Sequence, residues 1–352
     1  MFPSAASIAP LLVTGLAPDQ PEAAAEALAV LPDCCNTTDG MCLLPDGSFL
    51  MSVPNFNDES APPLLIRVTA DNRVEKFFEF PTPYPGLPAG LDRIRPMGIC
   101  RGPNGDLYLA DMQYMVDPYY KSRLWRLEVG ADGRVANMAL MANGLGVANG
   151  TAFHDGWVYI TESVMEEGSH PLKSCVMRFR PDETDVQLAD PLESDPHIIT
   201  TYTSSLDLWR FGADGICFNS RGELLVGLFG EGEIWKATFD AAGNVTSNTL
   251  FAKAPGLLVN CDGMSCDRRT DKIYIADSAS NAIRILWPDG KISTLGVNGD
   301  VIDTRSGLLD QPCEAMVRGD TVVVSNMDWP FPAMVNSAHY MPAVISVLRL
   351  ER

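Results

Sequence analysis

The chain has 352 residues, 46% of them hydrophobic and 20% charged, which is enough for one large domain or two ordinary ones. Its formal net charge of −19 is spread along the chain without an acidic tail, which argues against nucleic acid and anionic membranes as partners. No apolar run reaches the roughly 18 residues of a transmembrane helix, and "MFPSAASIAPLLVTGLA" at the start has no basic residue ahead of its apolar patch, so it reads as mature chain rather than a secretory signal.

After that stretch, one pattern recurs six times in chain order. It appears as "TDGMCLLPDGSFLMSV" from Thr38, "PMGICRGPNGDLYLAD" from Pro96 and "ANGTAFHDGWVYITES" from Ala148. It returns as "ADGICFNSRGELLVGL" from Ala213, "CDGMSCDRRTDKIYIAD" from Cys261 and "CEAMVRGDTVVVSN" from Cys313. The starts lie roughly 50 to 65 residues apart, a propeller-like period. Each copy is an apolar strand, a polar turn and a second strand, which is a hairpin signal. A second hairpin usually follows, as in "SRLWRLEVGADGRVANMALMA", "GEIWKATFDAAGNVTSNTLFA" and "NAIRILWPDGKISTLGV". Two hairpins per repeat predict an all-β, six-bladed β-propeller with four-stranded antiparallel blades around a central channel. The whole chain, 1–352, is then one domain. The last repeat ends in "AVISVLRLER" and supplies only a third strand. "SIAPLLVTGL" or "EALAVLP", within about the first 33 residues, is expected to close that blade.

Nine cysteines with no CxxC pair do not read as a zinc site. Cys34 and Cys35 are adjacent and poorly placed to bridge each other. Cys42, Cys100 and Cys217 share one repeat position on the innermost strand, so they are expected to be small, reduced core residues of a cytoplasmic protein. Cys261 and Cys313 precede acidic residues; a buried thiol and a place near the channel mouth both remain open.

The first strand of each blade lines the channel, so the residue opening it lies at the channel mouth. In order the openers are Asp39, Met97, Asn149, Asp214, Asp262 and Glu314. Five are oxygen donors converging on one axis, where their charges would repel without a cation between them. Asp39, Asn149, Asp214 and Asp262 are the predicted metal ligands, and calcium suits an all-oxygen set; zinc and manganese stay open. Asp46, Asp71, Asp106, Asp132, Asp155 and Asp289 lie in or near hairpin turns and read as turn residues. The links from strand two to strand three return to the same face and are long, as binding loops are. They carry Phe56, Tyr114, Tyr120, Phe229, Trp329, Phe331 and Tyr340, which with Met97 predict an apolar wall over a charged floor. Tyr119 lies among them. Of the histidines, His154 reads as exposed in a hairpin turn, while His170 and His339 fall in these loops. His339 is the candidate for proton transfer.

The phrases "ANGTAF…VYITES", "ADGICFNSRGELLVGL" and "CDGMSCD…IYIADS" resemble the blade signatures of the gluconolactonase, senescence-marker-protein and luciferin-regenerating-enzyme family. Diisopropyl fluorophosphatase and paraoxonase are more distant in shape. The resemblance runs from about Asp39 to the C-terminus. It implies a six-bladed propeller with one catalytic divalent metal, usually calcium, that hydrolyses lactones. The family's metal residues are a Glu opening the first blade, the Asn of the Asn-Gly phrase and the Asp of the Asp-Gly phrase, which map to Asp39, Asn149 and Asp214. Asp39 is shorter than the usual Glu. Pro96-Met97 stands where the family often has a polar residue, and Asp262 is a replacement carboxylate. The expected function is therefore metal-assisted opening of a small, rather apolar or aromatic lactone. Asp262 serves as a fourth ligand or as the base, alongside Asp214, with Glu314 a further candidate for the base. A metal-dependent lyase or isomerase and a non-catalytic binding propeller are the alternatives. The partner is a small molecule, and the oligomeric state is not indicated.

Overall fold

The computed structural model describes residues 20–205 and 208–351. It is a ring of six antiparallel sheets with almost no helix. The innermost strands are Met41–Leu43, Pro96–Arg101, Ala148–His154, Ala213–Phe218, Met264–Asp267 and Pro312–Arg318. Each contacts the innermost strand of the next blade, and Pro312–Arg318 returns to Met41–Leu43, so the ring closes. Among the described residues no helix is long and apolar enough to cross a membrane.

Blades pack face to face, so their middle strands are covered on both sides. Strand two is accordingly buried along its whole length in Phe49–Val53, Leu107–Asp111 and Leu224–Leu228. Fully burying a side chain such as Leu109 contributes about 2–3 kcal/mol, and Leu109→Ala would cost about 2–5 kcal/mol. Outer strands such as Val74–Glu79 have one face in water and are partly exposed. The turns are held by their acids: Asp46, Asp132 and Asp289 accept from the backbone N–H two residues on, at 3.0–3.1 Å, and Asp155 takes a positive φ of 46°.

The sixth sheet holds Pro312–Arg318, Thr321–Asn326, Val344–Arg349 and, outermost, Glu26–Val30. Glu26 pairs with Val347 and Val30 with Val344, antiparallel. This strand is the "EALAVLP" segment; "SIAPLLVTGL" lies outside the described residues. Blade two gains a fifth strand. Val186–Gln187, from the connection inside blade three, pairs parallel with Ala142 and Asn143 at its outer edge.

The nine cysteines are free. Cys42, Cys100 and Cys217 sit on the inner strands at 8% exposure and line the channel beyond the openers. Cys261 and Cys313 are buried between blades; Cys313 Sγ lies 3.2 Å from the Thr38 carbonyl oxygen. His154 is not freely exposed. Its ring stacks on Phe218 at 4.0 Å.

Candidate functional site

A small-residue rule brings the openers together. A Cβ on Gly40 would lie 2.7 Å from Gly98 Cα and 2.9 Å from the Met97 carbonyl oxygen. Gly98 meets the Asn149 carbonyl in the same way, Gly150 that of Asp214, Gly215 that of Asp262, and Gly263 that of Cys313. Only a residue without a Cβ lets main chain approach main chain this closely. The glycine after each of these five openers is thus what packs its blade against the next one's opener.

Hydroxyls stitch the same seam. Ser52 Oγ donates to the Met97 carbonyl at 2.7 Å, Thr161 Oγ1 to that of Asp214 at 2.8 Å, and Ser325 Oγ to that of Asp39 at 2.7 Å. The residue ending strand two fixes the approach to the opener. Asp111 accepts from Arg95 N at 2.8 Å. Glu162 accepts from the N–H groups of Gly146, Val147 and Val164 at 2.7–2.9 Å. Asp277 accepts from Val259 and Asn260. In blades two, three and four the register slips by one residue across the opener. Such a bulge re-aims a side chain.

In blade six the slip falls between Pro312 and Glu314. Pro312 pairs with Asn326 as Pro96 pairs with Asp111, and Ala315 pairs with Val324 as Ile99 pairs with Leu109. Cys313 is therefore the structural opener, and Glu314 occupies the position that is glycine in the other five blades. This corrects the sequence alignment by one residue. The Glu314 side chain lines the channel on the far side of the openers, with its carboxyl folded over Gly263. Burial, then the Asp262 charge, pushes it up to about 8.

The other five openers share one cavity of about 50 Å³. Asp39 and Asp214 are buried, while Asn149 and Asp262 keep some exposure to it. Asn149 Nδ2 donates to Asp214 Oδ2 at 2.8 Å. Asp39 Oδ1 accepts from Gly40 N at 2.7 Å, and Asp262 accepts from Gly263 N at 3.0 Å and Ser278 Oγ at 2.7 Å. Burial and the charges of Asp262 and Glu314 hold Asp39 well above the usual carboxylate range. Burial, then Asp262, Asp39 and Glu314, does the same to Asp214. Burial pushes Asp262 up to about 7, against the Ser278 and Gly263 hydrogen bonds that favour its charge.

No basic side chain lines this cavity, so its negative charge is uncompensated. Among the described residues no three His, Cys, Asp or Glu side chains form a metal cage by themselves; the floor includes an amide as its fourth donor. The set is all oxygen, and Cys261 and Cys313 are packed away from it. That chemistry fits a hard divalent cation and not a thiolate-seeking one.

The wall is apolar. Met97, Met112, Met115, Val147 and Met327 surround the floor, under Phe211, Phe229, Trp329 and Phe331. Phe211 and Phe229 meet edge to face at 6.0 Å, and Trp329 and Phe331 at 4.8 Å. Of the predicted wall, Met97, Phe229, Trp329 and Phe331 line the cavity. Phe56 stacks behind Trp329 at 4.7 Å, and Tyr114 backs Phe211 at 5.8 Å with its hydroxyl on Glu167. Tyr120 gives its hydroxyl to the Met165 carbonyl. Tyr340 bonds through its backbone to Asp328.

His339 does not line the cavity either. Its Nδ1 lies 2.8 Å from Asp328 Oδ2, and that hydrogen bond raises its pKa. Asp328 also accepts from Asn336 and from Tyr340 N, so His339 belongs to a clasp on the long loop after Met327. Gln311 anchors the start of that loop. Its Oε1 accepts from Trp329 N at 2.6 Å and its carbonyl from Met327 N at 2.9 Å. Sequence reasoning missed Met112, Met115, Val147, Phe211, Gln311 and Met327. The two residues Met112 and Met115 stand in a link already read as a binding loop, and their side-chain type was the available signal.

The chain matches no protein-family model and no curated protein. Its fold is similar to solved structures. Luciferin-regenerating enzyme is 9% identical at a TM-score of 0.59, covering 93% of this chain and 95% of its own. A calcium-binding protein, regucalcin, from Agrobacterium tumefaciens is 16% identical at 0.58, over 96% and 98%. A gluconolactonase from Xanthomonas campestris is 13% identical at 0.56, over 94% and 90%.

Proposed function

We propose that this chain is a metal-dependent hydrolase that opens a small lactone with an apolar or aromatic body. The observation that carries the reading is the convergence of Asp39, Asn149, Asp214 and Asp262 on one floor with no basic partner, beneath a wall of Met and aromatic side chains. Similarity in fold to a calcium-binding regucalcin and a gluconolactonase supports it. Asp39, Asn149 and Asp214 would hold the ion, and calcium is the ion that the oxygen donors favour. Bound there, such an ion supplies Lewis-acid polarisation of the ring carbonyl.

The chain's own residues do the rest. Asp262 takes a proton from water as its oxygen adds to the carbonyl carbon. The same carboxyl then gives that proton to the ring oxygen as the acyl C–O bond breaks, leaving a hydroxy acid. Burial raises the Asp262 carboxyl above the ordinary carboxylate range, which suits a group that must both take and return a proton. Ser278 and Gly263 fix its orientation. Trp329 and Phe331 exclude water and cover the substrate's apolar body. The cavity as it stands holds about one or two waters, so these loop side chains must yield to admit a substrate.

The test is a panel of sugar, alkyl and aryl lactones assayed by acid release, with calcium and with excess EDTA. Turnover on the alkyl or aryl members that EDTA and Asp214→Asn both abolish is the expected result. Full turnover in EDTA, or none on any lactone, overturns the proposal.

A further inference from the structure

The larger space lies on the far side of the openers. The channel there measures about 550 Å³ and is walled by the later residues of the inner strands, a volume within the ordinary range for small-molecule sites. Blades two and five stand opposite each other in the ring of six. Each contributes one arginine to this channel: Arg101 at the end of Pro96–Arg101, and Arg268 in the turn after Met264–Asp267.

Neither guanidinium has a hydrogen bond or an ion pair with any described residue. That is unexpected in a chain with 45 acidic residues against 26 basic ones. Arg123 is paired with Asp111, and Arg284 with Asp277. The neighbouring Arg269 takes both Asp267 and Asp320, which leaves Arg268 to the channel. The walls between the two arginines carry Cys42, Cys100, Cys217 and Cys266 with Phe153 and Phe218, soft and weakly polar surface. The Glu314 carboxyl lies toward the openers. A ligand would therefore meet two unpaired cations at the mouth, an apolar sleeve, and an acid at the floor.

We propose that this channel is a second binding site, separate from the loop-side cavity, for a small carboxylate with an apolar body. The carboxylate sits between Arg101 and Arg268, whose planar forks match its two oxygens. The body lies among the thiols, and Glu314 keeps the anionic head at the mouth. The inference stands apart from the lactonase reading, because it uses no opener and no metal.

Calorimetric titration of the full chain in EDTA tests it, with benzoate as probe and benzamide as its neutral counterpart. One benzoate should bind per chain, about tenfold or more tighter than benzamide. Arg101→Met with Arg268→Met should weaken benzoate about tenfold or more, each single variant less, and Asp39→Asn should leave it unchanged. Benzoate should also slow alkylation of Cys266 by neutral iodoacetamide, mapped by peptide mass, and leave the exposed Cys34 unprotected. Benzoate affinity unchanged in the double arginine variant, or lost in Asp39→Asn, overturns the proposal, as does no binding at millimolar benzoate.

Discussion

Asp262 offers a quantitative test of the floor. Burial lifts its carboxyl from an ordinary 3.8 to about 7, so between these values the folded protein holds a proton that the unfolded chain has lost. The folded pKa is the higher one. Its stabilising share is therefore present at low pH and disappears as pH rises through about 7. Three pKa units would be worth about 4 kcal/mol in full, and the part falling between about pH 5 and pH 7.5 is about 2–3 kcal/mol. Urea unfolding in EDTA at those two pH values should show the metal-free protein less stable at the higher one. Asp262→Asn carries no titrating group there and should lose that part of the difference, together with the share that the Asp262 charge imposes on Asp39, Asp214 and Glu314. Saturating calcium should reverse the trend, because the deprotonated floor is the form that binds a cation. An unchanged pH difference in Asp262→Asn would refute the account of a buried, uncompensated acid.

Three further outcomes follow from the packing. Gly40→Ala places a Cβ 2.7 Å from the Gly98 backbone and should cost about 1–3 kcal/mol by overpacking, read by denaturation, with a larger loss in calcium affinity. Glu162→Ala strands three buried backbone N–H groups and should lower stability by about 3 kcal/mol or more. Trp329→Ala should raise KM for an aryl lactone several-fold with calcium affinity unchanged; equal effects on both would place Trp329 in the metal site instead.

The blades were legible because hairpin chemistry is local. Turn acids and alternating apolar strands stand next to each other in the sequence, and "EALAVLP" reads as a strand wherever it pairs. The face where the openers converge was legible because the opener recurs at a fixed place in each repeat. Blade six misled, since "CEA" looks like "CDG" in register while the bulge there puts Cys313, not Glu314, in the opener's place. A one-residue slip leaves no mark on composition. The strand Val186–Gln187 is too short to have a period. Phe211 precedes its blade's first strand, outside the links between strands two and three where the sequence pattern places the wall. The tyrosine hydroxyls turn elsewhere: those of Tyr114 and Tyr120 reach a carboxylate and a carbonyl in the neighbouring blade's loop, Glu167 and Met165.

Because neighbouring blades touch through bare backbone at five of the six seams around the axis, the diameter of the central aperture is insensitive to what the surrounding loops carry. Segments such as 54–63, 112–121 and 327–343 could be exchanged to recruit new substrates while the geometry beneath them stays put. Under the proposed function, redesign of selectivity and preservation of chemistry are thereby assigned to different parts of the chain.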